Sequence, residues 1–227
     1  EPVRAAHIVS YKAVPDIDRQ ELRVSVTTSG AASGTKVKIE AIDGSKVIST
    51  LEGAPGTETV VPVKNPKLWS PDYPFLYRLR ISLTDNGEKT DSVSGYFGMR
   101  KVSTMTDSSG IPRLALNNRI LFQYGPLDQG FWPDGIHTPP SDAAIVADIE
   151  MVKAVGGNML RKHIKVEPNR FYYWADRLGM LVWQDMPSGD DTPEFREQFE
   201  HEFARMVDNL HNFPCIVMWI CFNEGWG

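Results

Sequence analysis

Over the first 105 residues of this chain, apolar and polar positions alternate with period two. The runs 4–14 (RAAHIVSYKAV), 21–30, 35–43 (TKVKIEAID), 45–51, 58–63, 75–85 and 90–98 are rich in β-branched residues, and Gly, Asp and Ser separate them. Alternation of this kind places the apolar side chains on one face of a strand. Asp85-Asn86-Gly87 predicts a hairpin, because Asn and Gly tolerate the positive φ of tight turns. Seven short strands in about 100 residues predict an all-β, immunoglobulin-like sandwich over 1–105.

From residue 106 to 227 the period changes. A linking segment, 101–118, leads into RILFQYG (119–125), which reads as a buried strand. Ser141 is placed to cap a helix in which Ile145, Ile149 and Val152 share a face, and Gly156-Gly157 ends it. NMLRKHI (158–164) is the next strand. Pro168 opens a second helix with Phe171, Trp174, Ala175 and Leu178 on one face, closed by Gly179. MLVWQD (180–185) follows. Thr192-Pro193 then starts a third helix, with Phe195, Phe199, Phe203, Met206 and Leu210 along its apolar stripe. CIVMWICF (215–222), apolar at every position, predicts a strand buried on both faces. The order β-α-β-α-β-α-β predicts parallel strands with helical crossovers, in a doubly wound sheet or a β/α barrel. No G-x-G-x-x-G follows the first of these strands, which disfavours a dinucleotide fold.

Composition narrows the function classes. Hydrophobic residues make up 41% and charged residues 23%, the balance of a globular protein. The net charge of −5, with Lys and Arg scattered, favours neither nucleic acid nor an anionic membrane surface as a partner. No apolar run is long enough to span a membrane. Cys215 and Cys221 fall in one strand-like run, roughly 20 Å apart at about 3.3 Å per residue. A disulfide needs about 7 Å, so both are expected to be small core residues. That fits a reducing compartment and is compatible with a periplasmic or secreted protein.

If the sheet closes as a barrel, its chemistry gathers at the C-terminal strand ends. The first strand leads to Gln123, Tyr124 and Asp128, the second to Arg161 and His163, the third to Gln184 and Asp185, and the fourth to Asn223 and Glu224. Chains surface at strand ends, which accounts for many polar residues there, and Asp185 before Met186-Pro187 also suits a turn. Arg161 and Glu224 differ, because a guanidinium and a carboxylate at a packed rim must be paired or used. They either pair with each other or serve a substrate. No set of residues at metal-ligand spacing accompanies His163.

Three stretches resemble glycoside hydrolase family 2, the β-galactosidase, β-glucuronidase and β-mannosidase group. LWSPDYPFLYRLRISL…GYFGMRKV (68–102) is similar to the end of that family's immunoglobulin-like domain. DIEMVKAVGGNMLRKH…FYYWADRLGMLVWQD (148–185) is similar to its first helix through third barrel strand. NFPCIVMWICFNEGWG (212–227) is similar to its acid/base signature. The resemblance implies a (β/α)8 TIM barrel of which about half, strands one to four, is present in 106–227. It implies a retaining β-glycosidase with a carbohydrate substrate and no cofactor. Glu224 would be the general acid/base, and Asn223 would bond the sugar 2-hydroxyl. Arg161 would hold and tune the carboxylates. His163, Asp185 and Asp128 would complete the sugar site, and Trp183, Trp226 and Trp132 would offer apolar platforms. LVWQD leans towards the mannosidase-like branch. RKHIKVEP and LDQGFWPDG depart from the common family segments at these positions.

A retaining glycosidase needs a second carboxylate about 5–5.5 Å from the first. In the family it sits on the seventh strand, so the nucleophile is expected outside these residues, and the chain reads as a fragment. The alternative is a non-catalytic module that binds carbohydrate or protein. An open half-barrel leaves the edge of its fourth strand unpaired, a site for self-association.

Overall fold

The computed structural model describes residues 4–85, 87–189 and 192–224. It divides into two compact units, 1–69 with 75–101 and 70–74 with 102–227.

In the first unit the alternating pattern becomes two antiparallel sheets. One has the order β1-β2-β5, from His7–Asp16, Glu21–Ser29 and Glu58–Pro62. The other has the order β4-β3-β6-β7, from Lys46–Gly53, Lys36–Asp43, Tyr77–Asp85 and Glu88–Phe97. Leu22, Val24 and Val26 point inward from β2, and Tyr77, Leu79, Ile81 and Leu83 from β6, all at 2% exposure or less. They share one core, so the unit is a β-sandwich. Tyr77 stacks on Phe97 at 5.2 Å, and its hydroxyl accepts the Lys67 amide at 2.8 Å. Gly87 adopts φ 83°, and Asn86 lies outside the described residues.

The second unit begins with a correction. Much of the segment expected to be a link forms strands: β8 (Val102–Thr106), β9 (Pro112–Leu116) and β10 (Arg119–Ile120) make an antiparallel sheet. Its β8–β9 turn is closed by Asp107, whose carboxylate accepts the amides of Ser109 at 2.8 Å and Ile111 at 3.0 Å. RILFQYG is therefore not a buried strand. It pairs with β9 only at its start, and Phe122 and Tyr124 are 81% and 58% exposed.

The first parallel strand is instead the two-residue β11, Leu127–Asp128. It is followed by α1 (Asp142–Ala154), β12 (Met159–Lys162), α2 (Asn169–Leu178), β13 (Leu181–Asp185), α3 (Pro193–Leu210) and β14 (Ile216–Ile220). The sheet order is sequential, β11-β12-β13-β14, and all pairs are parallel.

The helix ends follow their local chemistry. The Ser141 hydroxyl accepts the Ala144 amide at 3.2 Å, and that of Thr192 accepts the Phe195 amide at 3.2 Å. Gly179 takes the left-handed conformation, φ 71°, that ends α2. On α2 the buried face is Phe171, Tyr172, Ala175 and Asp176 rather than one including Trp174 and Leu178. The reason is polar: the Asp176 carboxylate accepts the Cys215 amide at 2.7 Å, at the entry to β14. β14 itself is largely half-buried, not buried on both faces, because among the described residues it pairs only with β13. Cys215 is buried, but Cys221 is exposed and does not belong to the core.

Candidate active site

Parallel register sorts the strand-end residues into two rows. Leu127, Arg161, Trp183 and Met218 are neighbours across β11 to β14, as are Asp128, Lys162, Gln184 and Trp219. Because side chains alternate, the two rows face opposite sides of the sheet.

The Arg161 side carries a carboxylate–guanidinium clamp. Arg161 Nε and Nη2 donate to Asp185 Oδ1 and Oδ2 at 3.0 and 2.9 Å, a two-point match of fork to carboxylate. Nη2 also donates to Asn223 Oδ1 at 2.8 Å. The Ile164 amide adds a third donor to Asp185, at 3.2 Å. Asp185 is fully buried, so its charge depends on these donors. Arg161 thus pairs with Asp185, the turn-forming candidate, and orients the Asn223 amide. Glu224, the next residue, is exposed. On the same row, Trp183 Nε1 donates to Gln123 Oε1 at 2.6 Å, which fixes the indole.

The opposite side holds a second charged cluster that sequence reading missed. Lys162 is 1% exposed and lies between Asp128 Oδ2 at 2.8 Å and Glu167 Oε1 at 2.6 Å, with the Phe171 ring centroid 4.7 Å away. Lys165 Nζ also reaches Glu167 Oε1, at 3.0 Å, and donates to the Gly130 carbonyl at 2.7 Å. Two ammonium groups therefore balance two carboxylates. Gln184, fully buried, accepts from the Tyr172 hydroxyl at 2.6 Å and donates to the Lys165 carbonyl at 2.7 Å. The same hydroxyl accepts the Glu167 amide at 3.0 Å. Burial raises the Tyr172 phenol far above its ordinary value, so it stays a donor at any ordinary pH.

Of the sequence candidates, Arg161, Asp185 and Asn223 are brought together, with Glu224 adjacent in the chain. Asp128 is not: it serves the Lys162 cluster on the other side of the sheet. His163 is half-buried, and its Nδ1 is 3.4 Å from Gln129 Nε2. Trp132 closes a turn through paired backbone bonds with Ile136 at 2.8 and 3.0 Å. Trp226 lies outside the described residues. The missed Lys162 and Glu167 did leave a signal. A lysine inside the strand run NMLRKHI, followed five residues later by glutamate, calls for a buried partner.

Residues 6–100 match the model of glycosyl hydrolases family 2. A β-galactosidase of Lactococcus lactis is 27% identical over 184 residues, 76% of this chain and 18% of that protein. A β-glucuronidase of Bacteroides fragilis is 23% identical over 237 residues, 89% of this chain and 31% of that protein. Among solved structures, a β-glucuronidase from Ruminococcus gnavus in complex with D-glucuronic acid superposes with a TM-score of 0.86 at 21% identity, over 98% of this chain and 38% of that one. The chain thus spans roughly a fifth to two fifths of the length of these relatives.

Proposed function

We propose that the chain is a glycosyl hydrolases family 2 protein, the family whose model matches residues 6–100, and that it carries the acid/base side of a retaining β-glycosidase site. In this reading the first unit, ending at Lys101 rather than at 105 because β8 pairs with β9, is the immunoglobulin-like domain. Residues 106–227 are the first four strands of a β/α barrel, which the sequential parallel order supports, since a doubly wound sheet reverses its strand order. The nucleophile is assigned outside the 227 residues. The names of the relatives make β-glucuronides and β-galactosides the first substrates to test.

The observation that carries the proposal is the clamp. Arg161, anchored by Asp185, has donors only and donates to Asn223 Oδ1, which turns the Asn223 amide NH₂ away to donate towards a sugar hydroxyl. Glu224 follows it after the strand end and is exposed. Glu224 as the acid protonates the glycosidic oxygen while the nucleophile attacks the anomeric carbon. As carboxylate it then removes a proton from the water that releases the sugar, returning to its starting form.

The test compares the complete polypeptide with its Glu224→Gln variant on aryl and alkyl β-glycosides. Turnover should fall by about 10²–10⁴ on alkyl glycosides, whose leaving group needs a proton. The loss of the glycosylation step should be smaller on nitrophenyl glycosides, whose leaving group does not. Unchanged turnover on the alkyl substrates removes Glu224 from the acid role.

A further inference from the structure

Within the first unit, β4 and the turn that follows β5, both edge strands of their sheets, border a groove of about 500 Å³. That volume lies inside the roughly 300–1,000 Å³ range of small-molecule sites. Regular alternation along β4 fails here. The register with β3 passes from Ala41 opposite Ser49 to Ile42 opposite Val47 and skips Ile48, a β-bulge. Four consecutive residues, Lys46 to Ser49, border the groove, where a regular strand would offer every second one. Bulges re-aim side chains in this way beside functional sites. Lys64, Asn65 and Lys67 border it from the other arm.

Charge marks the groove. Asp43 is the acidic side chain of its wall, and Lys67 holds it at 2.8 Å. Lys46 and Lys64 are exposed, and among the described residues neither side chain has an ion-pair or hydrogen-bond partner. Two unspent positive charges therefore share one concavity on a chain whose net charge is −5. Both arms are pinned. Arg78 donates to the Gly44 carbonyl at 2.6 Å, in the turn before Lys46. On either side of Lys64, the Val63 amide donates to the Gln20 carbonyl at 2.8 Å and the Asn65 amide to Gln20 Oε1 at 2.7 Å. The backbone that carries the two cations is thus set before a ligand arrives, which lowers the cost of binding.

The neutral part of the wall narrows the ligand. The Ser49 hydroxyl and the Asn65 amide lie beside Val47 and Ile48, which are 44% and 36% exposed. A pyranose matches that mixture, with hydroxyls at its edge and C–H groups on its faces. A nucleotide base would stack on an exposed ring, and the aromatic residue of this wall, Tyr77, is 2% exposed and stacked on Phe97.

We propose that this groove binds a carboxylated sugar, with Lys46 and Lys64 on the carboxylate, Ser49 and Asn65 on ring hydroxyls, and Val47 and Ile48 against a sugar face. The proposal does not rest on the glycosidase reading: its residues all belong to the first unit, and no bond is cleaved.

The probe is D-glucuronate, titrated into the isotope-labelled full chain and followed through backbone amide shifts. Shifts that saturate together are expected at Val47, Ile48, Ser49 and Asn65. The double variant Lys46→Gln/Lys64→Gln should weaken this binding by about tenfold or more, the loss of two charge-assisted contacts. Lys12→Gln/Lys89→Gln removes the same charge from other strands of the sandwich and should leave the affinity unchanged. All four lysines are exposed, so the thermal midpoint serves as the folding control and should not move in either variant. An affinity unchanged in Lys46→Gln/Lys64→Gln, or shifts confined to other residues, overturns the proposal. So does D-glucose binding as tightly as D-glucuronate, which would leave the carboxylate no part. Inorganic phosphate binding as tightly also overturns it, since the groove would then be a general anion site.

Discussion

The Arg161–Asp185 pair makes a prediction that needs no substrate. At about 3 Å and an effective dielectric of about 20, the gross attraction is on the order of 5–6 kcal/mol, and desolvation offsets much of it. Removing one partner is costly because the other is left behind. The structure makes that cost unequal. Arg161→Met leaves a fully buried carboxylate with only the Ile164 amide, so a loss of about 3–5 kcal/mol is expected. Asp185→Ala leaves a guanidinium that is 26% exposed and still bonded to Asn223, so the loss should be nearer about 2–3 kcal/mol. The double variant strands neither charge, and its loss should fall short of the sum by at least about 2 kcal/mol. Urea unfolding of the four proteins, read through tryptophan fluorescence, closes the cycle. Additivity within about 0.5 kcal/mol would refute the coupling and, with it, the idea that Asp185 is what holds Arg161 against Asn223.

Two further outcomes follow from groups away from the clamp. Tyr172→Phe removes a hydroxyl that both donates to Gln184 and accepts from the Glu167 amide, leaving two buried groups short of a partner; a loss of about 2–4 kcal/mol in urea unfolding is expected, and a loss below about 1 kcal/mol counts against the network. The Asp107 carboxyl is held below its ordinary range, first by the Ile111 amide and then by Arg113, so the folded form binds its proton less readily than the unfolded chain. Its contribution is therefore complete above about pH 4 and is lost as the pH falls through the folded value. The protection of the Ile111 amide, its exchange rate relative to an unstructured amide at the same pH, should fall over that acid range in the wild type and lose this change in Asp107→Asn.

The sandwich was legible where one face of a strand is buried and the other wet, so period two is printed in β2 and at the start of β6. The second unit was legible in its helices, where Ser141, Thr192 and Gly179 do local chemistry that no tertiary context overrides. It was less legible in its strands. RILFQYG has the apolar content of a core strand, yet the residues that pair with β12 are Leu127 and Asp128, beyond Gly125-Pro126. Apolar content alone does not say where a ladder runs, and here backbone pairing decides.

The same limit explains the site. Arg161, Asp185 and Asn223 are on three different strand ends, and sequence places them on one rim without saying which of them pair. Parity does say something more. Arg161 and Lys162 are consecutive on one strand and must face opposite ways, so one of these cations serves the rim and the other enters the side that α2 covers. The buried carboxylates follow from that division: Asp185 answers Arg161, while Asp128 and Glu167 answer Lys162. A candidate at a strand end is thus worth weighing together with its neighbour, because alternation sends one to the chemistry and the other to the fold.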